Sequence, residues 1–209
     1  MFHQLIIFIR SVMLFIKISL GCLNNPYVTY RELSMKTEAN RSAMFVWLLM
    51  VVYFIFASLI RNGWENPYLL TWQLNKLIMA AIIGSGGIVL LIYILGRRLG
   101  GKGEVSALYR LWSFTLLPTI IWFILTSLFY LMLPPPRTFS IWGKLFSLVF
   151  ITLSISLLYW KIILYYLTLR FGLKLDLFKI GKITSVIVPL VVIYSLITYN
   201  LGIFRIPFI

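Results

Sequence analysis

Few side chains in this sequence are equipped for covalent chemistry. His3 is the one histidine, and at the extreme N-terminus it reads as a bystander rather than a base. Five acidic residues are present and no two share an apolar run, so paired carboxylates, metal cages and carboxylate proton relays find no support. Hydroxyls do occur within apolar runs, at Thr126, Ser127, Ser147, Ser154 and Ser156. With no histidine to activate them, they are expected to bond to their own helix or to a neighbouring one. Gly100-Gly101-Lys102-Gly103 looks at first like a phosphate loop. The required order of Gly, four residues, then Gly-Lys-Ser/Thr is broken, because Gly103 follows Lys102. Cys22 stands alone, so no intrachain disulfide forms. Its thiol is an acylation candidate near a membrane surface, but the plainer expectation is a small apolar side chain. The expectation is a protein that is not an enzyme and holds no cofactor and no metal.

Lys161 is the sharpest anomaly. It lies inside an apolar run, nine residues before Arg170, or about 13 Å along a helix. A charge at such depth costs roughly 2.5–3.5 kcal/mol on insertion scales. Two readings follow. Its stem snorkels toward the surface beside Tyr159, Trp160, Tyr165 and Tyr166, which is the favoured one, or it forms a polar site between helices for an anionic lipid head or a partner carboxylate.

The elements that carry these residues are membrane helices. Hydrophobic residues make up 61% of the chain and charged ones 11%, too few charges to cover a water-facing surface of this size. Several apolar runs exceed the roughly 18 residues that mark a bilayer-spanning helix. The fold class is all-α, a polytopic membrane protein with five transmembrane helices and an N-terminal amphipathic interfacial helix. The spans are expected at about 43–60, 77–95, 111–133, 145–169 and 183–201. Residues 1–42 form an amphipathic and basic N-terminal region, and residues 202–209 a short tail. Arg10 and Lys17 interrupt the first apolar run two turns apart, on one helical face, which favours a helix lying in the interface over a signal peptide or a span. Asn24, Asn25 and Pro26 make a turn, and Glu32 and Lys36 a helical charge pair. Trp64, Pro67 and Tyr68 suit an interfacial loop.

Small and breaking residues have positional meaning. Gly84, Ser85, Gly86 and Gly87, in the middle of the second span, let a neighbouring helix approach closely. Pro118 and Pro189 remove backbone donors and bend their spans. Pro134, Pro135 and Pro136 end the third span.

Charge fixes the expected orientation. There are 19 Lys+Arg against 5 Asp+Glu, a net charge of +14. Nucleic acid is not the partner, because no basic region is long enough to form a groove or an arm. Thirteen of the cations fall in the N-terminal region and in the second and fourth connections, and that excess belongs in the cytoplasm. This places the N-terminus inside and the C-terminus outside the cell membrane. Arg97, Arg98, Lys102, Lys174, Lys179 and Lys182 are the candidates for contact with anionic lipid heads.

Three places carry a family resemblance. One is Asn25-Pro26 with the basic helix that follows. Another is Gly100-Gly101-Lys102-Gly103, then a short amphipathic piece and a span containing Pro118. The last is Phe171-Gly172 to Gly181-Lys182, followed by Pro189. In their order and spacing, over about Asn25 to Leu201, they resemble the Ypt-interacting-protein (YIP) domain family of five-span membrane proteins, especially its prokaryotic members. The resemblance implies a five-helix membrane domain over 43–201 with a cytoplasmic N-terminus and no catalytic residue. Eukaryotic members bind Rab-type GTPases in vesicle traffic, and some bacterial ones accompany ABC-type exporters. The long polar N-terminal region of the eukaryotic members has no counterpart here, which favours a prokaryotic relative over a GTPase binder.

Two functions follow as expectations. The first is a non-enzymatic membrane protein that binds membrane-protein partners or itself, and organises the bilayer through anionic lipids. The alternative is transport, as an accessory subunit of an ABC-type exporter or as a small permease built on broken helices at Gly84–Gly87, Pro118 and Pro189.

Overall fold

The structure is a computed structural model that describes residues 2–35, 40–62, 66–132 and 141–203. Lys36 with its Glu32 pairing, Trp64, the Pro134–Pro136 stop and residues 204–209 of the tail lie outside the described residues. Every regular element among them is helical: α1 (Phe2–Asn24), α2 (Pro26–Met35), α3 (Asn40–Asn62), α4 (Pro67–Arg98), α5 (Val105–Thr115), α6 (Leu117–Met132), α7 (Ile141–Leu167) and α8 (Leu177–Asn200). A π-helical turn, Thr168–Gly172, extends α7.

Local chemistry explains most of the boundaries. Pro26 and Pro67 each open a helix, where a missing N–H costs nothing. Asn66 caps α4 by accepting from the Leu69 amide at 3.4 Å. This start signal carries α4 ten residues beyond the expected 77–95 span. Pro67 and Tyr68 therefore sit in its first turn and not in a loop. At 32 residues α4 is about 48 Å long, more than the hydrocarbon thickness.

The span expected over 111–133 begins earlier, within the stretch 105–129, and consists of α5 and α6 meeting at Leu116. Leu116 keeps a right-handed helical backbone, and its amide bonds back to the Ser113 carbonyl at 3.1 Å. Pro118 then stands in the first turn of α6, where its ring and missing donor are harmless. Pro189 instead lies within the uninterrupted α8 and withholds one donor from the Ser185 carbonyl.

Among the described residues six helical stretches are long and apolar enough to cross a membrane: 6–24, 40–60, 67–98, 105–129, 143–172 and 177–200. The chain is therefore an all-α polytopic membrane protein. The stretch 6–24 is one more than the five spans expected. α1 runs four residues past Leu20, so its apolar stretch reaches spanning length despite Arg10 and Lys17.

α5 sits at the centre of the packing. Leu108, Leu111 and Phe114 are fully buried, and Trp112 nearly so. One apolar cluster joins Leu111 and Phe114 to Tyr30 of α2 and to Met50 and Phe54 of α3. A second joins Leu108 and Trp112 to Ile92 of α4, Leu169 and Leu173 beyond α7, and Ile183 and Ile187 of α8. Between spans the fastening is polar. Trp122 donates to Ser154 Oγ at 2.9 Å, Trp47 to Ser113 Oγ at 3.0 Å, and the Tyr53 and Ser127 hydroxyls lie 3.2 Å apart. Thr126, Ser147, Ser154 and Ser156 each donate to a carbonyl of their own helix, as expected for hydroxyls in lipid.

Candidate functional site

One end of the bundle gathers α2, the start of α3, the connection after α4, and the connection after α7. Its centre is an interlock of two backbones. The Lys102 amide donates to the Leu173 carbonyl at 3.1 Å, and the Gly101 amide to the Gly96 carbonyl at 2.8 Å. Gly103 lies so close to Gly172 that an added Cβ would overlap the Gly172 carbonyl group. Gly100 turns the chain at φ +82°, a conformation that disfavours any Cβ. The Gly-Gly-Lys-Gly segment is therefore a clasp between two connections and not a phosphate cradle.

A polar cluster backs the clasp. The Thr115 and Thr168 hydroxyls, at the end of α5 and on the π-turn, lie 3.0 Å apart and fully buried. Tyr30 donates to the Leu111 carbonyl at 3.3 Å. Burial pushes the Tyr30 phenol well up from its ordinary range, so it stays a donor into strongly alkaline conditions.

Arg110 differs from the other cations of this end. Sequence counting places it among the charges that face the cytoplasm, yet only 2% of its surface is exposed. Its Nη1 donates to Asn40 Oδ1 at 3.0 Å and its Nη2 to the Ser34 carbonyl at 3.3 Å. It ties the last turn of α2 to the first residue of α3. A partial signal for this was present: Ala107, Leu108, Leu111, Trp112 and Phe114 make about half of this short helix apolar, and Arg110 borders that face.

The remaining cations line the rim of the clasp. Arg97, Arg98, Lys102, Lys174 and Lys182 are exposed and Lys179 is half-buried. Arg97 lies over the Tyr93 ring at 5.7 Å and Lys182 over the Phe178 ring at 4.6 Å, amphipathic pairs suited to a membrane surface. Lys174 holds a left-handed backbone, φ 55°, which aims the exposed side chain away from the buried Leu173 and Leu175. Asp176 opens α8 beside these cations.

α1 lies against this end. Phe8 and Phe15 are about 10 Å apart along α1, yet both rings meet the Phe45 ring, at 5.8 and 5.9 Å. Phe45 is near the first turn of α3. Phe15 also stacks near Phe114, and Trp160 donates to the Cys22 carbonyl at 3.0 Å. The Cys22 thiol is fully buried, so its place is that of the small apolar side chain, not of an acylation site. Around α1, Leu14, Ile18 and Cys22 face the bundle, while Ile9, Met13, Ile16 and Leu20 are exposed. Exposed Arg10 and Lys17 run along the edge between these faces.

The small-residue patch of α4 divides. Gly84 and Ser85 are buried, and a Cβ on Gly84 would collide with the Tyr194 ring, whose hydroxyl donates to the Ala80 carbonyl at 2.5 Å. Gly86 and Gly87 are exposed, with nothing within 4 Å of an added Cβ. Residues two apart on a helix face different ways, so only half of the patch serves packing within this chain.

Lys161 is half-buried, and its ammonium donates to Thr119 Oγ1 at 2.8 Å. It thus engages α6 rather than simply snorkelling beside its tyrosines. A cavity of about 210 Å³ opens here between α6 and α7. Among the described residues no three His, Cys, Asp or Glu side chains gather to hold a metal ion.

The family model for the Yip1 domain matches residues 20–199. The chain belongs to the Yip1-domain family. The match takes in the clasp, Arg110, Pro118 and Pro189, and most of α1 precedes it. No curated protein and no solved structure matches the chain. In this Yip1-domain protein the motifs of glycine, lysine and proline have a physical reason: they let two connections and a helix junction pack backbone to backbone.

Proposed function

We propose that this protein is a non-enzymatic membrane protein whose basic end faces the cytoplasm, holds anionic lipid heads, and presents a platform for membrane-protein partners or a second copy. α1 lies in the cytoplasmic interface of the cell membrane, so the N-terminus is inside and the C-terminus outside. The observation that carries this is the order of contacts along α1: Phe8 meets Phe45 of α3, Phe15 meets Phe114 of α5, and the Cys22 carbonyl meets Trp160 of α7. A helix running alongside the bundle keeps the same neighbours from end to end. One that meets three helices in succession runs across them. Crossing near the first turn of α3 keeps α1 beside the clasp, and its cationic edge then lies at head-group depth with its outer apolar face in the acyl chains. Such a helix wedges one leaflet.

Replacing Arg10 and Lys17 together with glutamate tests this. A cation at the surface contributes about 1 kcal/mol with anionic lipid, so retention of phosphatidylglycerol is expected to fall about fivefold for each charge removed. The measurement is the ratio of phosphatidylglycerol to phosphatidylcholine retained by the purified protein, read by mass spectrometry. An unchanged ratio would sink the proposal. Solute flux through liposomes carrying the wild-type protein would replace it with the transport reading.

A further inference from the structure

The clasp accounts for the basic end but not for the cavity between α6 and α7. We propose that this cavity binds the carboxylate of a single-chain lipid, a fatty acid, with its acyl chain lying along the groove between the two helices.

The cavity's chemistry is asymmetric. Lys161 and Thr119 stand at one place on its wall, with Nζ donating to Oγ1 at 2.8 Å. Pro118, Trp122, Phe123, Leu157 and Leu158 supply an apolar surface, and Ser154 completes the wall. Leu158 is 51% exposed, so the opening faces the lipid side of the bundle and not an aqueous end. Trp122 is committed to Ser154 and the Ser154 hydroxyl to the Phe150 carbonyl, which leaves the polar character of the site with Lys161 and Thr119.

Size and depth select the ligand. A volume of about 210 Å³ is below the roughly 300 Å³ at which sites for drug-sized molecules begin, so a compact head fits and a sugar-bearing head does not. The two polar groups are adjacent, which matches the closely spaced oxygens of one carboxylate. Lys161 lies about 13 Å along the helix from Arg170 at the basic end. A phospholipid phosphate would have to sink that far with its substituents. A carboxylate carries no substituent beyond its chain and needs a cation to remain ionised at that depth. The pairing is charge-assisted and shielded from water, and the chain adds burial against Trp122 and Leu158.

The test uses the full-length protein in lipid nanodiscs and stearate brominated near its head group, which quenches tryptophan on contact. Trp122 is in the wall, so the quenching expected is saturable and disappears in Trp122→Phe. Lys161→Met is expected to raise the half-saturating concentration at least about tenfold, equivalent to 1.4 kcal/mol, with Lys161→Arg retaining most of the binding. Thr119→Val, which keeps the shape of the side chain, is expected to weaken binding severalfold and serves if Lys161→Met fails to fold. Equal quenching by brominated phosphatidylcholine overturns the proposal, because ordinary annular lipid then explains the signal. Saturable quenching by brominated phosphatidylglycerol but not stearate overturns the carboxylate assignment. A Lys161→Met protein that folds and binds stearate as before also overturns it.

Discussion

Gly103→Ala is expected to destabilise the protein by about 3 kcal/mol or more, at the upper end of single substitutions. The added methyl would meet the Gly172 carbonyl and, at 2.6 Å, the Leu173 Cα. Both are backbone atoms in a turn pinned by the Lys102–Leu173 hydrogen bond, so they cannot swing aside as a side-chain end would. Relief requires the connection after α4 to part from the connection after α7, which removes the clasp. Gly87→Ala is the matched control. It adds the same methyl where nothing lies within 4 Å, inside a helix that favours alanine by about 1 kcal/mol. Thermal unfolding in mild detergent should therefore move in opposite directions for the two variants. Similar midpoints for both would remove the clasp from the account.

Arg110→Ala is expected to cost about 2–4 kcal/mol, through loss of two hydrogen bonds from a charged group and of the packing of a buried side chain. The Ser34 carbonyl and Asn40 lose the group that bridges them, so the α2–α3 connection loosens as well. Arg110→Lys should restore little, because one ammonium does not span both acceptors as the planar fork does. Arg98→Ala, an exposed rim cation, is the comparison and is expected to stay within about 0.5 kcal/mol. The checks are thermal unfolding for all three variants and thiol labelling of a cysteine placed at Ser34. An Arg110→Ala protein as stable and as protected as Arg98→Ala would mean that the bridge holds nothing together.

The two positions mark where the sequence was readable. Spans after the first announce themselves, because an apolar run of that length has few other uses and the cations collect at one end. Pro118 marks a discontinuity, but a proline alone does not say whether a helix bends or restarts. The α5–α6 junction here depends on Leu116 bonding back to Ser113, which no pattern encodes. The glycines of 100–103 stand out in the sequence as a motif, while their partner, Gly172, lies some 70 residues on and is joined to them only by tertiary packing. Arg110 is the same case: a cation beside a turn counts as cytoplasmic until its neighbours are seen to close over it. Lys161 stood out because charge in an apolar run is rare, yet Thr119 as its partner is visible only once α6 and α7 are side by side.

The orientation of the clasp and the lie of α1 carry the rest of the functional account. They are tested most directly by impermeant thiol labelling of single cysteines placed at Arg10, Lys102 and Leu201. The native Cys22 is fully buried and contributes little background. The account predicts that positions 10 and 102 react from the cytoplasmic face alone and position 201 from the opposite face alone. Reaction of position 102 from outside, or protection of position 10 from both faces as in a helix that spans the membrane, would contradict it.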